Sequence, residues 1–201
     1  MALGLLLLRV VFGLTLAAHG SQKLFGSFGG GSPAGTTTFF RSLGFRAPLL
    51  MALIAGLGEL AGGLLFAFGL LTPLAALILT VVMLNAIGTV HWKKGFFNSA
   101  GGYEFNLAIV AAAVAITAIG PGRYSLDHAL GWAETISGPW WALEVVAVAA
   151  LIAFVTVTVG RAHTTPRSPD EPSVAPSSGR GRQAVHSRDS AEARGRKERT
   201  A

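Results

Sequence analysis

The sequence predicts an all-α integral membrane protein, an antiparallel four-helix transmembrane bundle with a fifth transmembrane helix and a disordered basic tail. Three features carry that expectation. The chain is 51% hydrophobic and only 13% charged, with a mean hydropathy of +0.54, too apolar for an ordinary soluble domain of this length. Apolar stretches recur at close to the ~20 residues that a ~30 Å hydrocarbon core requires. From residue 161 onward the composition switches to Pro, Ser, Gly and Arg with almost no large apolar side chains. The expected organisation is therefore a bundle over residues 1–130, a further helix within 131–160 and a tail over 161–201.

The first span covers residues 3–20. No basic residue precedes its apolar run and Arg9 interrupts it, so it reads as a retained helix and not as a cleaved signal peptide. It ends in "AAHGSQKLFGSFGGG", where His19 and Lys23 run into glycine. That glycine run lacks the Gly-Lys-Ser/Thr ending of a phosphate-cradling loop, so it reads as flexible connection. "TTTFFRSLGF" follows, mixing aromatics with one arginine, and is expected to rest at the membrane interface as a short amphipathic piece.

The second and third spans, 47–71 and 74–90, meet at "LLTP". Thr72 as N-cap with Pro73 as first helical residue predicts a tight hairpin there. The fourth and fifth spans cover 105–120 and 140–159. Lys23, Arg41, Arg46, Lys93, Lys94 and the arginine-rich tail then all fall on one side of the membrane, which the positive-inside rule makes cytoplasmic. The N-terminus is expected outside and the tail inside. The tail cannot bury enough surface to offset its ordering entropy. Without aromatic interleaving or a recognisable module, its charge points to no nucleic acid.

The first and third spans echo one another: "VVFGLTLAAHGSQK" and "VVMLNAIGTVHWKK" each place a histidine shortly before lysine. Both spans run in the same direction, so His19 and His91 lie at the cytoplasmic end. Helical side chains lean toward their own N-terminus, which tips both imidazoles into the membrane.

Ionisable groups at membrane depth are costly and usually face the bundle interior. Glu59, in "AGLGELAGG", lies about 18 Å along the helix from either end of its span, near the midplane. Ala55, Gly56, Gly62 and Gly63 share its face, so another helix can approach closely. Arg9 is the obvious counter-ion, yet on antiparallel helices Arg9 leans outward while Glu59 leans inward, and snorkelling of Arg9 to the outer interface is the competing reading. Glu104 opens the fourth span, where a carboxylate also suits the helix dipole. Asn85 lies about 120° around the helix from His91 and is expected to make an interhelical hydrogen bond.

Taken in order, "RVVFGLTLAAHGSQKLFG", the glycine-rich loop, "GTTTFFRSLG", "GLGELAGGLL", "VVMLNAIGTVH" and "GGYEFNLAIV" make the chain resemble the DoxX family of small membrane proteins over about residues 3–130. The resemblance implies a four-helix membrane bundle, and the family includes relatives of a subunit of thiosulfate:quinone oxidoreductase. A multi-pass protein of a bacterial cytoplasmic membrane is the corresponding expectation.

Two functions follow. In a redox-linked, quinone-associated subunit, His19, Lys23 and His91 bind the quinone headgroup, while Glu59, Glu104 and the histidines handle the protons that accompany electrons. The chain has no cysteine, which excludes thiolate redox chemistry, cysteine-ligated zinc and ordinary iron–sulfur clusters. Electrons must then come from a partner oxidoreductase or a bound cofactor. Haem between the two histidines is disfavoured by the lack of an attachment motif. In the alternative, the protein is a non-catalytic scaffold or small-solute binder, alone or as a homo-oligomer, whose polar residues fix helix register.

Overall fold

The computed structural model describes residues 2–161. The chain is built from α1 (Ala2–Phe25), α2 (Ser32–Ser42), α3 (Pro48–Phe68), α4 (Thr72–Ala86), α5 (Glu104–Ile119), α6 (Leu126–Ala129) and α7 (Pro139–Val159). The expected tail lies outside the described residues beyond Arg161. Among the described residues, four helices are long and apolar enough to cross a membrane, α1, α3, α4 with its extension to Lys94, and α7; α5 is apolar but shorter. Long apolar side chains stay exposed along the outside, as on α1 where Leu3, Leu7, Val11 and Leu14 recur at helical spacing. A lipid-facing stripe explains this pattern, since such residues gain nothing from mutual burial in a bilayer.

Small residues set the packing order. Gly13 faces Gly63 across the α1–α3 contact, and a Cβ added to either would lie 2.5 Å from the other's carbonyl oxygen. Seven residues further along α1, Gly20 meets Gly56 and Leu60 in the same way. Glycines seven apart on both helices thus form one antiparallel seam. Gly58 and Gly62 belong to a different seam: they receive Ile78, Leu79 and Val82 of α4. The two glycine sets around Glu59 therefore hold α3 between two neighbours. On the far side of α4 lie α5 and α7, and the common core includes Leu16, Phe66, Leu79, Met83, Ile109, Ile116 and Val145. The fifth span is packed directly against α4 and α5 and contributes Val145 to that core.

The α3–α4 turn is as tight as expected, but its cap differs. Gly69 takes φ +62° and Leu71 φ +48°. The α4 N-terminus is capped by Asp127, whose Oδ1 accepts from Leu71 N (2.7 Å) and whose Oδ2 accepts from Thr72 N (2.9 Å) and the Thr72 hydroxyl (2.6 Å). Thr72 itself makes no capping bond to α4. A carboxylate serves a helix N-terminus better than a hydroxyl because it also meets the positive end of the dipole.

At the opposite end, α1 does not stop at Gly20. It continues through "SQKLF" to Phe25, because Gly20 is a packing residue and the first left-handed break comes at Gly26 (φ +70°). The "TTTFFRSLGF" segment overlaps α2, which packs on α3 and α1. Helix α4 unwinds beyond Ala86 through a π turn, Ile87–His91, and a 3-10 turn, Trp92–Lys94.

Candidate functional site

Where α1 and α4 finish and α3 and α5 begin, the bundle encloses a cavity of about 640 Å³. Its walls are mainly apolar and include Phe39 and Phe40 of α2, Phe45, Phe105 of α5 and Ile152 of α7. His19, Lys23, Glu59, Asn85 and His91 supply polar groups from three helices. Four of the five predicted site residues therefore share one cavity. The fifth, Glu104, does not line it; its Oε1 accepts from Asn98 N (2.8 Å) and ties down the 95–103 loop.

Glu59 is 4% exposed and is paired with Lys23, whose ammonium donates to both carboxylate oxygens. Arg9 is not its counter-ion. The glycine seam puts Gly13 level with Gly63 and Gly20 level with Gly56, so Glu59 lies nearer the Lys23 end of α1 than the Arg9 end. Glu59 and Lys23 each lean toward their own N-terminus, which on antiparallel helices brings them together. Nor does Arg9 snorkel. It is fully buried, with Nη2 donating to the Tyr124 carbonyl (2.5 Å) and Gly69 giving the guanidinium room. Asp127, also fully buried, supplies a favourable electrostatic interaction. The two ends of the bundle thus hold separate charged clusters.

Both histidines are held in the same way. His19 Nδ1 lies 2.9 Å from the Thr15 carbonyl and His91 Nδ1 lies 2.7 Å from the Gly101 carbonyl. A carbonyl only accepts, so each Nδ1 carries the proton and each Nε2 remains the free ring nitrogen. Asn85 does not bond across helices: its Nδ2 donates to Val81 O (2.9 Å) on α4 itself, and its buried Oδ1 has no partner among the described residues. It lines the cavity together with His91, because a cavity this wide draws on more than one side of α4.

Three parts of this arrangement escape a reading of spacing alone. The leaning rule pairs Lys23 with Glu59 only because α1 runs past Gly20 to Phe25. The α2 phenylalanines look interfacial in sequence, and only tertiary packing turns Phe39 and Phe40 to the cavity. The third is a clip at the cavity mouth: Arg46 N donates to Gly160 O (3.0 Å), and Arg161 lies over the Phe45 ring (5.7 Å) while donating to Thr89 O (3.2 Å). It joins residues 72 to 116 positions apart and carries no local signal.

A family model described as DoxX matches residues 4–92. The chain is 33% identical over 125 residues to a Bacillus subtilis protein named "Putative oxidoreductase CatD", covering 62% of this chain and 85% of that one. It is also 29% identical over 143 residues to a Mycobacterium tuberculosis protein named "Uncharacterized membrane protein Rv3486", covering 65% of this chain and 83% of that one. No solved structure matches the chain.

Proposed function

The chain belongs to the DoxX family, and on that premise we propose that it is a redox-linked membrane subunit that binds a quinone headgroup in the α1–α3–α4 cavity. The observation that carries this reading is the convergence of an ammonium–carboxylate pair, two imidazoles and an unpartnered amide oxygen on one apolar cavity. A volume of about 640 Å³ falls within the roughly 300–1,000 Å³ range of small-molecule sites, which combine apolar walls with few polar groups. The CatD name adds an oxidoreductase label to a relative.

The roles follow from the donors and acceptors. Two of the Lys23 ammonium protons are engaged by Glu59, and the third is available to a quinone carbonyl. Nε2 of His19 or His91 accepts from the hydroxyl of the reduced form, as does Asn85 Oδ1. Glu59 takes and returns the proton that accompanies an electron. Glu104 acts at one remove, by fixing the loop whose Gly101 carbonyl orients His91. Electrons come from a partner oxidoreductase or a bound cofactor, since the chain has no cysteine. With the basic loops on the cytoplasmic side, the cavity opens at that side and protons exchange there.

Lipid extracts of the purified protein test the reading. Quinone retained in stoichiometric amount supports it, and Glu59→Gln should leave that quinone bound while slowing its proton-coupled reduction by roughly 10²-fold or more. A preparation that retains no quinone and binds none when it is added favours the scaffold alternative.

A further inference from the structure

The cavity spends its hydrogen-bond donors on the protein and leaves its acceptors free. Nδ1 of His19 and of His91 donates to a backbone carbonyl. The Thr89 and Thr156 hydroxyls donate one turn back, to Asn85 O (2.7 Å) and Ile152 O (2.8 Å). Asn85 directs its amide nitrogen at Val81 O, and Asn106 directs its own at Met83 Sδ (3.4 Å). Two Lys23 protons go to Glu59. One ammonium proton then remains, against two imidazole Nε2 lone pairs and the buried Asn85 Oδ1, which has no partner among the described residues. Asn98 is exposed on the loop before α5, where water serves both ends of its amide.

The imidazoles therefore act as acceptors. A carbonyl oxygen 2.9 Å from Nδ1 of His19 and 2.7 Å from Nδ1 of His91 fixes both tautomers. A second proton on either ring would add an uncompensated cation to an apolar enclosure in which the Lys23–Glu59 pair is already balanced. His19 and Lys23 stand four residues apart on α1 and so reach one ligand oxygen from successive turns. His91 enters from the extension of α4, on another wall.

Resting on the quinone site proposed above, we infer that the cavity prefers the reduced ligand, a hydroquinone over its quinone: one hydroxyl accepts from Lys23 and donates to His19 Nε2, and the other donates to His91 Nε2. A quinone oxygen can accept the Lys23 proton but has none to give, so it leaves both Nε2 atoms unpaired when it displaces cavity water. Unmade hydrogen bonds at buried acceptors are costly, and the hydroxyls of the reduced form make them. The ligand keeps its protons and stays neutral throughout. A preference of about 10- to 100-fold follows, and each factor of ten raises the midpoint potential of the bound two-electron couple by about 30 mV. A couple shifted in that direction is easier to reduce, which suits delivery of electrons from a partner protein to bound quinone.

Anaerobic calorimetric titration of the full chain in lipid nanodiscs, with a short-chain quinone and with its hydroquinone, measures the preference once each affinity is referred to the ligand's concentration in the lipid. The hydroquinone should bind about 10- to 100-fold more tightly. Equal affinity, or tighter binding of the quinone, overturns the inference. The dimethyl ether of the same hydroquinone keeps the ring, the tail and both oxygens but has no O–H to give. It should bind no more tightly than the quinone, and an ether that matches the hydroquinone assigns the preference to shape and overturns the inference as well. His19→Phe with His91→Phe keeps aromatic bulk and removes both acceptors, so the preference should all but vanish while the affinity for quinone changes little. A preference that survives in the folded double variant contradicts the role of the imidazoles. His91 also holds the Gly101 carbonyl, and should that variant not fold, the ether comparison in the wild-type protein decides alone. Quinone binding without a preference for the reduced form sinks this inference alone, and binding of neither form sinks the quinone site with it.

Discussion

Lys23 and Glu59 pair across the α1–α3 seam because both side chains lean toward the N-terminus of their own helix and the helices run in opposite directions. The pair is lopsided in exposure: the carboxylate side chain is 5% exposed and the lysine 30%. The carboxylate is almost fully buried against the α1–α3 seam, so the lysine is what makes its charge tolerable.

Removing the cation alone should therefore cost stability. Lys23→Met is expected to lower unfolding stability by about 3 kcal/mol, the low end for breaking a buried pair because Lys23 is partly exposed. Adding Glu59→Gln should restore most of it. Thermal melting of both variants in detergent measures the effect, and a double variant no more stable than the single one would show that the pair is not the cause.

Arg9 and Asp127 should behave as a separate unit. Asp127→Ala removes the α4 cap and the favourable field that the carboxylate exerts on buried Arg9, an expected loss of roughly 2 kcal/mol. The loss should add to that of Glu59→Gln, since the sites share no partner, while ligand affinity of the cavity stays unchanged. A change in affinity larger than a few-fold would couple the two ends.

The α1–α3 seam predicts a sharp contrast between glycines. Gly63→Ala places a methyl 2.5 Å from the Gly13 carbonyl oxygen and 2.7 Å from Ala17 N, overpacking that typically costs about 1–3 kcal/mol. Gly4→Ala meets nothing within 4 Å and should be neutral or slightly stabilising through helix propensity. Equal melting temperatures for the two variants would remove the seam as a determinant of packing.

The proposed orientation is open to a labelling test without background, because the chain has no cysteine. Cysteine at Ser99 should react with a membrane-impermeant reagent only in opened cells, and cysteine at Thr135 in intact ones. The reverse pattern inverts the topology.

The sequence made the spans and their alternation legible, because hydropathy over twenty residues integrates a strong signal that local detail cannot mask. It also made Glu59, His19 and His91 stand out, since polar groups in apolar helices are few and must face inward. What it left hidden depends on contacts between distant segments. Asp127 caps a helix that begins 55 residues earlier, and nothing near Thr72 announces it. The pairing of Lys23 was obscured by Gly20, which reads as a helix end but serves as a close-approach point for α3. The neighbours of α3 could not be read either, as its glycines face two helices and the pattern alone does not say which.

The central claim is that the cavity itself holds the ligand, and filling it is the most direct test. Ala86 lines the cavity from α4, and Ala86→Phe should occupy part of its volume while preserving the polar residues. Isothermal titration of a short-chain quinone into the wild-type protein in lipid nanodiscs should give saturable binding of one quinone per chain. The same titration of a folded Ala86→Phe variant should lose at least tenfold in affinity, on the order of 1.4 kcal/mol. Equal affinity in the two proteins, or no saturable binding to the wild type, would contradict the account.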